Sequence, residues 1–299
     1  MNQRMKKILL PIALLLSFQV FAQEDLLAEL EKEQTEETPT PVYATFKSTR
    51  VINGHSVENI AAKHLDFRIS HRFGNLNTGE YELFGLDQAT LRLGFEYGIN
   101  EDLMIGFGRT TVGKTLDGFV KYKILSQKKD DNGSPVTISY FGSTTLKTQK
   151  WEDPSRNNYF TSRLNFCNQL LIARKFNEHL SIQLTPTHIH KNLVELKKDP
   201  NDLFAMGMGG SVKITRSTRF NVEWFPMLNG NDGKVYANNF SVGFDIETGG
   251  HVFQLHFTNS VEQNEPQFIT ETTGKWDKGD IRFGFNISRT FSFDRSAKE

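Results

Sequence analysis

One cysteine in 299 residues excludes a disulfide framework and any metal site built from several thiolates. Charge of a single sign is also missing. The 35 basic side chains balance 35 acidic ones, so no global positive field argues for nucleic acid. Long apolar runs are scarce: beyond residue 22 nothing approaches the roughly 20 apolar residues of a membrane helix. No GxGxxG occurs, which removes the dinucleotide fingerprint. What the chain does have is 25 Phe and 23 Gly, both frequent for a sequence with so few apolar stretches.

The N-terminus is the one apolar exception. Arg4, Lys6 and Lys7 form a positive region, Ile8 to Val20 is mostly apolar, and Val20-Phe21-Ala22 supplies modest residues for a peptidase. Residues 1–22 are expected to be a secretory signal peptide cut after Ala22, because the apolar stretch is short for a spanning anchor. No Cys follows, so lipoprotein processing is excluded. Its removal takes away three bases and no acid, leaving a mildly acidic chain with Cys167 alone. Residues 23–42 carry seven carboxylates against Lys32, with Pro39 and Pro41 closing the stretch; an acidic linker or short helix is expected.

From residue 64 to 293 the period becomes two. KHLDFRISHRF sets Leu65, Phe67, Ile69 and Phe73 against Asp66, Arg68, Ser70 and Arg72. QATLRLGFEYGI sets Leu91, Leu93, Phe95 and Tyr97 against Arg92, Gly94, Glu96 and Gly98. Similar segments near 103–111, 116–126, 135–147, 159–176, 180–191, 203–215, 219–227, 239–247, 251–257 and 280–293 bring the total to about twelve strands. One face of each is almost free of charge. A soluble sandwich or lipocalin-type barrel would turn that face inward, whereas a transmembrane barrel turns it to lipid.

The connections separate the two. Residues 74–88, 148–158, 192–202, 228–238 and 258–279 are long, and they alternate with tight turns at 100–102, 177–179, 216–218 and 248–250. Only the brief 112–115 and the Asn-Gly-containing 127–134 depart from the rule. Tight turns on one rim and long loops on the other are what an outer-membrane barrel requires, with both termini on the tight-turn, periplasmic side when strands are even in number. Phe73, Tyr97, Tyr122, Tyr140, Phe160, Trp224, Phe257 and Phe291 fall toward segment ends, where interfacial belts lie. The reading is an all-β, up-and-down transmembrane barrel of about twelve antiparallel strands over residues 63–299, in a Gram-negative outer membrane. Residues 43–62 alternate only in part and are expected to cap or plug it, an extra strand being the alternative.

Several strings carry a family likeness: TFKSTRVINGHSVE (45–58), LDFRISHRFG (65–74), FGLDQATLRLGFEYGI (84–99), TLDGFVKYKIL (115–125) and LTPTHIHKNLV (184–194). From about residue 44 onward the chain resembles the outer-membrane barrel family known as domain of unknown function 5777. The resemblance implies an outer-membrane β-barrel; it implies no activity and no catalytic residues. Phe291 and Phe293 are followed by DRSAKE, a departure from insertion signals that end on an aromatic.

The polar face is the candidate site. It carries the bases Arg68, Arg72, Arg92, Lys121, Lys123, Arg163, Lys213 and Arg282, and the acids Asp66, Glu96, Asp117, Glu223 and Asp245. An excess of about three bases biases a narrow lumen weakly toward anions, since rings of fixed charge set selectivity. Cross-strand pairing that fills the lumen is the competing reading. Phe119, Phe141 and Phe225 also point inward, which argues against a wide pore. His188 and His190 share a face near a rim but lack an evident third metal ligand. His55, Ser56 and Glu58 have the residue types of a hydrolase, yet adjacent strand residues diverge. Gly207-Met208-Gly209-Gly210 reads as a lumen-facing glycine patch. The expected function is therefore non-enzymatic and without cofactor or metal. A channel for small hydrophilic solutes leads. A non-conducting barrel whose loops 258–279 and 74–88 bind a surface partner is second, and a barrel-embedded lipid-modifying enzyme is third.

Overall fold

The computed structural model describes residues 41–129, 133–230, 235–248 and 251–293. The expected leader, most of the acidic segment and the final DRSAKE lie outside the described residues.

Twelve antiparallel strands close into one barrel, each paired with its sequence neighbours and the first with the last. They are β1 (His64–Asn75), β2 (Ala89–Gly98), β3 (Leu103–Thr110), β4 (Thr115–Leu125), β5 (Thr137–Lys147) and β6 (Leu164–Lys175). The second half comprises β7 (Leu180–Lys191), β8 (Asp202–Lys213), β9 (Thr218–Phe225), β10 (Asn239–Thr248), β11 (His251–Thr258) and β12 (Arg282–Ser292). Closure leaves no strand edge unpaired, the condition for sheet in lipid, where a bare N–H finds no water.

Which face looks outward follows from exposure. Phe95 and Phe107 are 47% and 54% exposed, while Arg68, Arg92 and Lys121 are at 1%, 1% and 0%. A soluble barrel would show the reverse. Period-two alternation therefore gives an apolar outer wall for acyl chains and a polar inner wall. Tyr122, Tyr140, Trp224, Phe257 and Phe291 are exposed outward near strand ends.

The connections sort by rim. Residues 76–88, 111–114, 148–163, 192–201, 226–238 and 259–281 belong to one rim, and the tight turns belong to the other, where β1 begins and β12 ends. The two departures from alternation are thus a short loop on the long-loop rim and a longer one on the tight-turn rim. One boundary differs from the sequence reading. Residues Phe160–Arg163 form a 3₁₀ turn rather than the start of β6, held by the Arg163 guanidinium donating to the carbonyls of Lys147 and Gln149. Phe160 therefore sits in a loop and not in the outer aromatic belt.

Two segments outside the strands occupy the interior. Residues 44–57 are mostly buried and form a hairpin, with Val51 N–H donating to the Gly54 carbonyl and Arg50 bridging His55. They are not a thirteenth strand. Residues 259–270 of the last long loop also turn inward and are buried almost throughout. Within them α1 (Glu265–Thr270) starts on an Asn264 cap, whose side chain accepts from Gln267 N–H, with Pro266 in the first turn. The expectation that 258–279 is a surface loop is corrected here. Phe268 and Ile269 pack, fully buried, against Cys167, Ile189, Leu203, Ala205 and Phe225 of the inner wall.

Candidate functional site: the occupied barrel interior

Ionic pairs organise the inner wall. Arg92 on β2 forks onto Asp117 on β4, Nε to Oδ1 at 2.9 Å and Nη2 to Oδ2 at 2.5 Å, across the intervening β3. The reach is possible because Gly94 and Gly108 lie under the guanidinium, where a Cβ would stand 2.6 and 2.3 Å from it. Arg68 lies 3.3 Å from Asp66 and 3.7 Å from Glu96. Asp245 accepts from Gln254 Nε2 at 2.9 Å.

Of the thirteen charged residues singled out from sequence, Asp66, Arg68, Arg72, Arg92, Glu96, Asp117, Lys121, Glu223 and Asp245 are buried in the interior. The other four are not. Lys123 stands at the tight-turn rim beside Pro41 and Glu58, and Lys213 is 3.9 Å from Glu178 on the same rim. Arg163 and Arg282 stand at the long-loop rim, the first 4.1 Å over the Trp151 ring and the second donating to the Phe73 carbonyl. They sit at strand ends, where the wall meets water. Sequence reasoning missed Arg219, buried on the inner face of β9 and donating to Ser211. Its alternation with Phe220 was the available signal. Among the described residues the strands thus bury five bases (Arg68, Arg72, Arg92, Lys121, Arg219) and five acids (Asp66, Glu96, Asp117, Glu223, Asp245). The expected basic excess does not reach the interior.

A hairpin without sheet partners must find other partners for its peptide groups. The wall supplies them. Glu223 accepts the N–H groups of Ile52, Asn53 and Gly54 at 3.1, 3.1 and 2.9 Å. Gln183 accepts from Val57 N–H at 3.0 Å and donates to the His55 carbonyl at 2.8 Å, reading the backbone as a neighbouring strand would. Asn286 donates to the Ile52 carbonyl, Arg72 to the Asn53 side chain, and Lys121 to the carbonyls of Ser56 and Glu58. Thr49 donates to Glu96 and receives from Arg68. Phe46, Val51, Ile52 and Val57 pack on Met104, Phe119, Phe141, Leu171 and Ala173. The inner wall therefore carries two apolar patches, one beneath each inserted segment.

The segments meet. Arg50 Nη1 of the hairpin lies 3.0 Å from Glu265 Oε1 at the start of α1, and His55 Nε2 is 3.8 Å from the same oxygen. The His55 ring lies between Phe119 and Phe141, at 4.5 and 4.3 Å, while Ser56 Oγ donates to the Ser48 carbonyl. The two side chains diverge, and they form no nucleophile–base pair.

Above α1, at the long-loop rim, opens a cavity of about 900 Å³ lined by Lys147, Trp151, Asn165, Lys191, Tyr236 and Glu271 among others. Glu271 follows α1 directly and takes both lysines, Lys147 Nζ at 3.1 Å and Lys191 Nζ at 2.9 Å. Burial pushes the Glu271 carboxyl up, but the two ammonium groups outweigh it and hold it below its usual value. On the outer face His188 and His190 both reach Asp202 Oδ1, at 2.9 and 2.8 Å. No group of three or more His, Cys, Asp or Glu among the described residues is arranged to hold a metal.

Residues 46–291 match the family described as a membrane bound beta barrel domain, DUF5777. No curated protein matches the chain. Among solved structures the barrel is similar to the NanC porin, at 12% identity and a TM-score of 0.48 over 77% of this chain and 100% of that one. It is similar to the KdgM porin at 10% identity and 0.45, over 77% and 99%. An outer-membrane channel from Pseudomonas putida F1 gives 13% and 0.47, over 79% and 98%.

Proposed function

We propose that this chain, which belongs to the DUF5777 family of membrane-bound β-barrel domains, is a gated outer-membrane pathway for small hydrophilic solutes whose closed state is the one described here. The observation that carries the reading is the meeting of Arg50 with Glu265 inside the cylinder, from segments that belong to opposite rims.

Two physical arguments favour a gate over a permanent filling. First, the hairpin is held by side chains and contributes nothing to the ladder that closes the sheet, so its withdrawal leaves the cylinder intact. Second, the wall spends ten charged side chains where apolar packing would be at least as stable, since desolvated ion pairs are often no better than hydrophobic replacements. Charge on the wall makes sense if water reaches it in another state. Equal numbers of acids and bases give that state no preference for one sign, so the weak anion bias expected from sequence is not retained.

Planar-bilayer recording tests the reading. The intact protein is expected to stay mostly silent, and deletion of residues 44–57 to give stable conductance steps. A steady open conductance from the intact protein would remove the gate.

A second reading rests on a separate observation. Tyr81, Leu83, Phe84 and Leu86 in the 76–88 loop are all exposed, Tyr81 at 95%, so this loop retains the sequence-based role of a surface for a partner. Charged replacements there that abolish partner capture while leaving conductance unchanged would favour it.

A further inference from the structure

We infer that Lys147 and Lys191 are the anchor of a binding site for a carboxylate-bearing solute in the long-loop mouth, and that Glu271 is an internal stand-in for that ligand. The lysines close β5 and β7, two strands that are not neighbours, yet their ammonium groups converge on one carboxylate. Lys147 touches both of its oxygens, at 3.1 and 3.2 Å. Among the described residues no other carboxylate is paired with either lysine. The three side chains line the same cavity, about 900 Å³ in volume, far more than a carboxylate fills. The rest of that space is lined by Trp151, Asn165 and Tyr236, whose hydroxyl donates to Glu195, and by charged side chains of both signs.

The partners differ in mobility. Lys147 and Lys191 are fixed to the barrel wall, whereas Glu271 belongs to the loop and follows the last residue of α1. A solute carboxylate entering from the mouth competes for fixed cations against a carboxylate on a segment that can leave. Lys147 keeps 41% of its side chain exposed, so the exchange can begin without prior opening. Displaced, Glu271 no longer anchors the end of α1, and the buried segment above the hairpin loses one of its ties to the wall. Binding stands on the cavity and the lysines alone. Only the consequence for α1 rests on the gating reading.

The test uses citrate as the carboxylate probe and sucrose as a neutral one, with the full chain in non-ionic detergent, by titration calorimetry and tryptophan fluorescence. Saturable citrate binding is expected, with none for sucrose. Glu271→Gln should tighten it about tenfold by removing a charged hydrogen-bonded competitor, and Lys191→Gln should weaken it by at least about as much. Heat-modifiable migration confirms that each variant keeps its barrel. No citrate binding, citrate binding indifferent to Lys147→Gln and Lys191→Gln, or equal binding of sucrose would each overturn the site. Citrate that binds as expected but never raises conductance overturns the gating reading while leaving the site in place.

Discussion

The hairpin turn hangs on one carboxylate, and removing it gives a sharp expectation. Glu223 accepts three successive N–H groups, from Ile52, Asn53 and Gly54, all in buried surroundings. Glu223→Leu keeps much of the volume and offers no acceptor. A buried donor left unpaired costs about 1–3 kcal/mol. Taken at the low end for each of the three donors, the loss is about 3 kcal/mol for the set. With every 1.4 kcal/mol worth a factor of ten, local opening of the hairpin should become about a hundredfold more frequent. Hydrogen exchange read by mass spectrometry on peptides covering 48–57 measures this directly. Exchange there should accelerate about a hundredfold while β3, β4 and β10 stay protected. Unchanged rates in 48–57 would refute the reasoning. Equal acceleration in the strands would too, because the carboxylate would then hold the cylinder and not the hairpin.

Other expectations follow from the same geometry. Glu265→Leu and Arg50→Leu should each destabilise the inserted segments by about 3 kcal/mol, since breaking a buried pair strands a charge. The double substitution should cost less than the sum of the two; additivity by the same exchange measurement would mean that the 3.0 Å contact is not an interaction. Phe107→Arg, in the middle of the outward face of β3, should lower stability in vesicle refolding by about 2–4 kcal/mol, against about 0–1 for Phe291→Arg at the rim. A near-neutral Phe107→Arg would contradict the lipid-facing assignment. Glu271 is held below its usual value, so its tie to the lysines should be fully present above the ordinary Glu range near about 4.3 and lost only as pH falls through the depressed value. Protease nicking of 259–281 that rises already near pH 6 would argue against that tie.

Strand number, facing and rim order were legible from one sequence because each depends on a local rule. Alternation puts Phe95 and Arg92 on opposite faces whatever surrounds them, and the alternation of long and short connections separates the rims at all but two positions. The inner ion pairs were legible in part. Arg92, Asp117 and the glycines at 94 and 108 all fell on one face, but nothing in their spacing says that Arg92 reaches past β3. Arg163 was placed on a strand because alternation continues through it, and a side chain gripping two carbonyls overrode the pattern. The apolar residues on the polar face, Met104, Leu171, Ile189 and Leu203, were a signal that something besides water must lie against them.

By itself the sequence determined a closed cylinder with a greasy exterior, since a two-residue period leaves each side chain only two directions. Tertiary structure alone decided what fills that cylinder. Contacts that place the hairpin join residues as far apart as Ile52 and Glu223 or Asn286, and those that place α1 link Glu265 back to Arg50. Peptide groups without a ladder will accept any partner of suitable geometry, so which wall residues serve them depends on where the closed sheet has already put each carboxylate and amide.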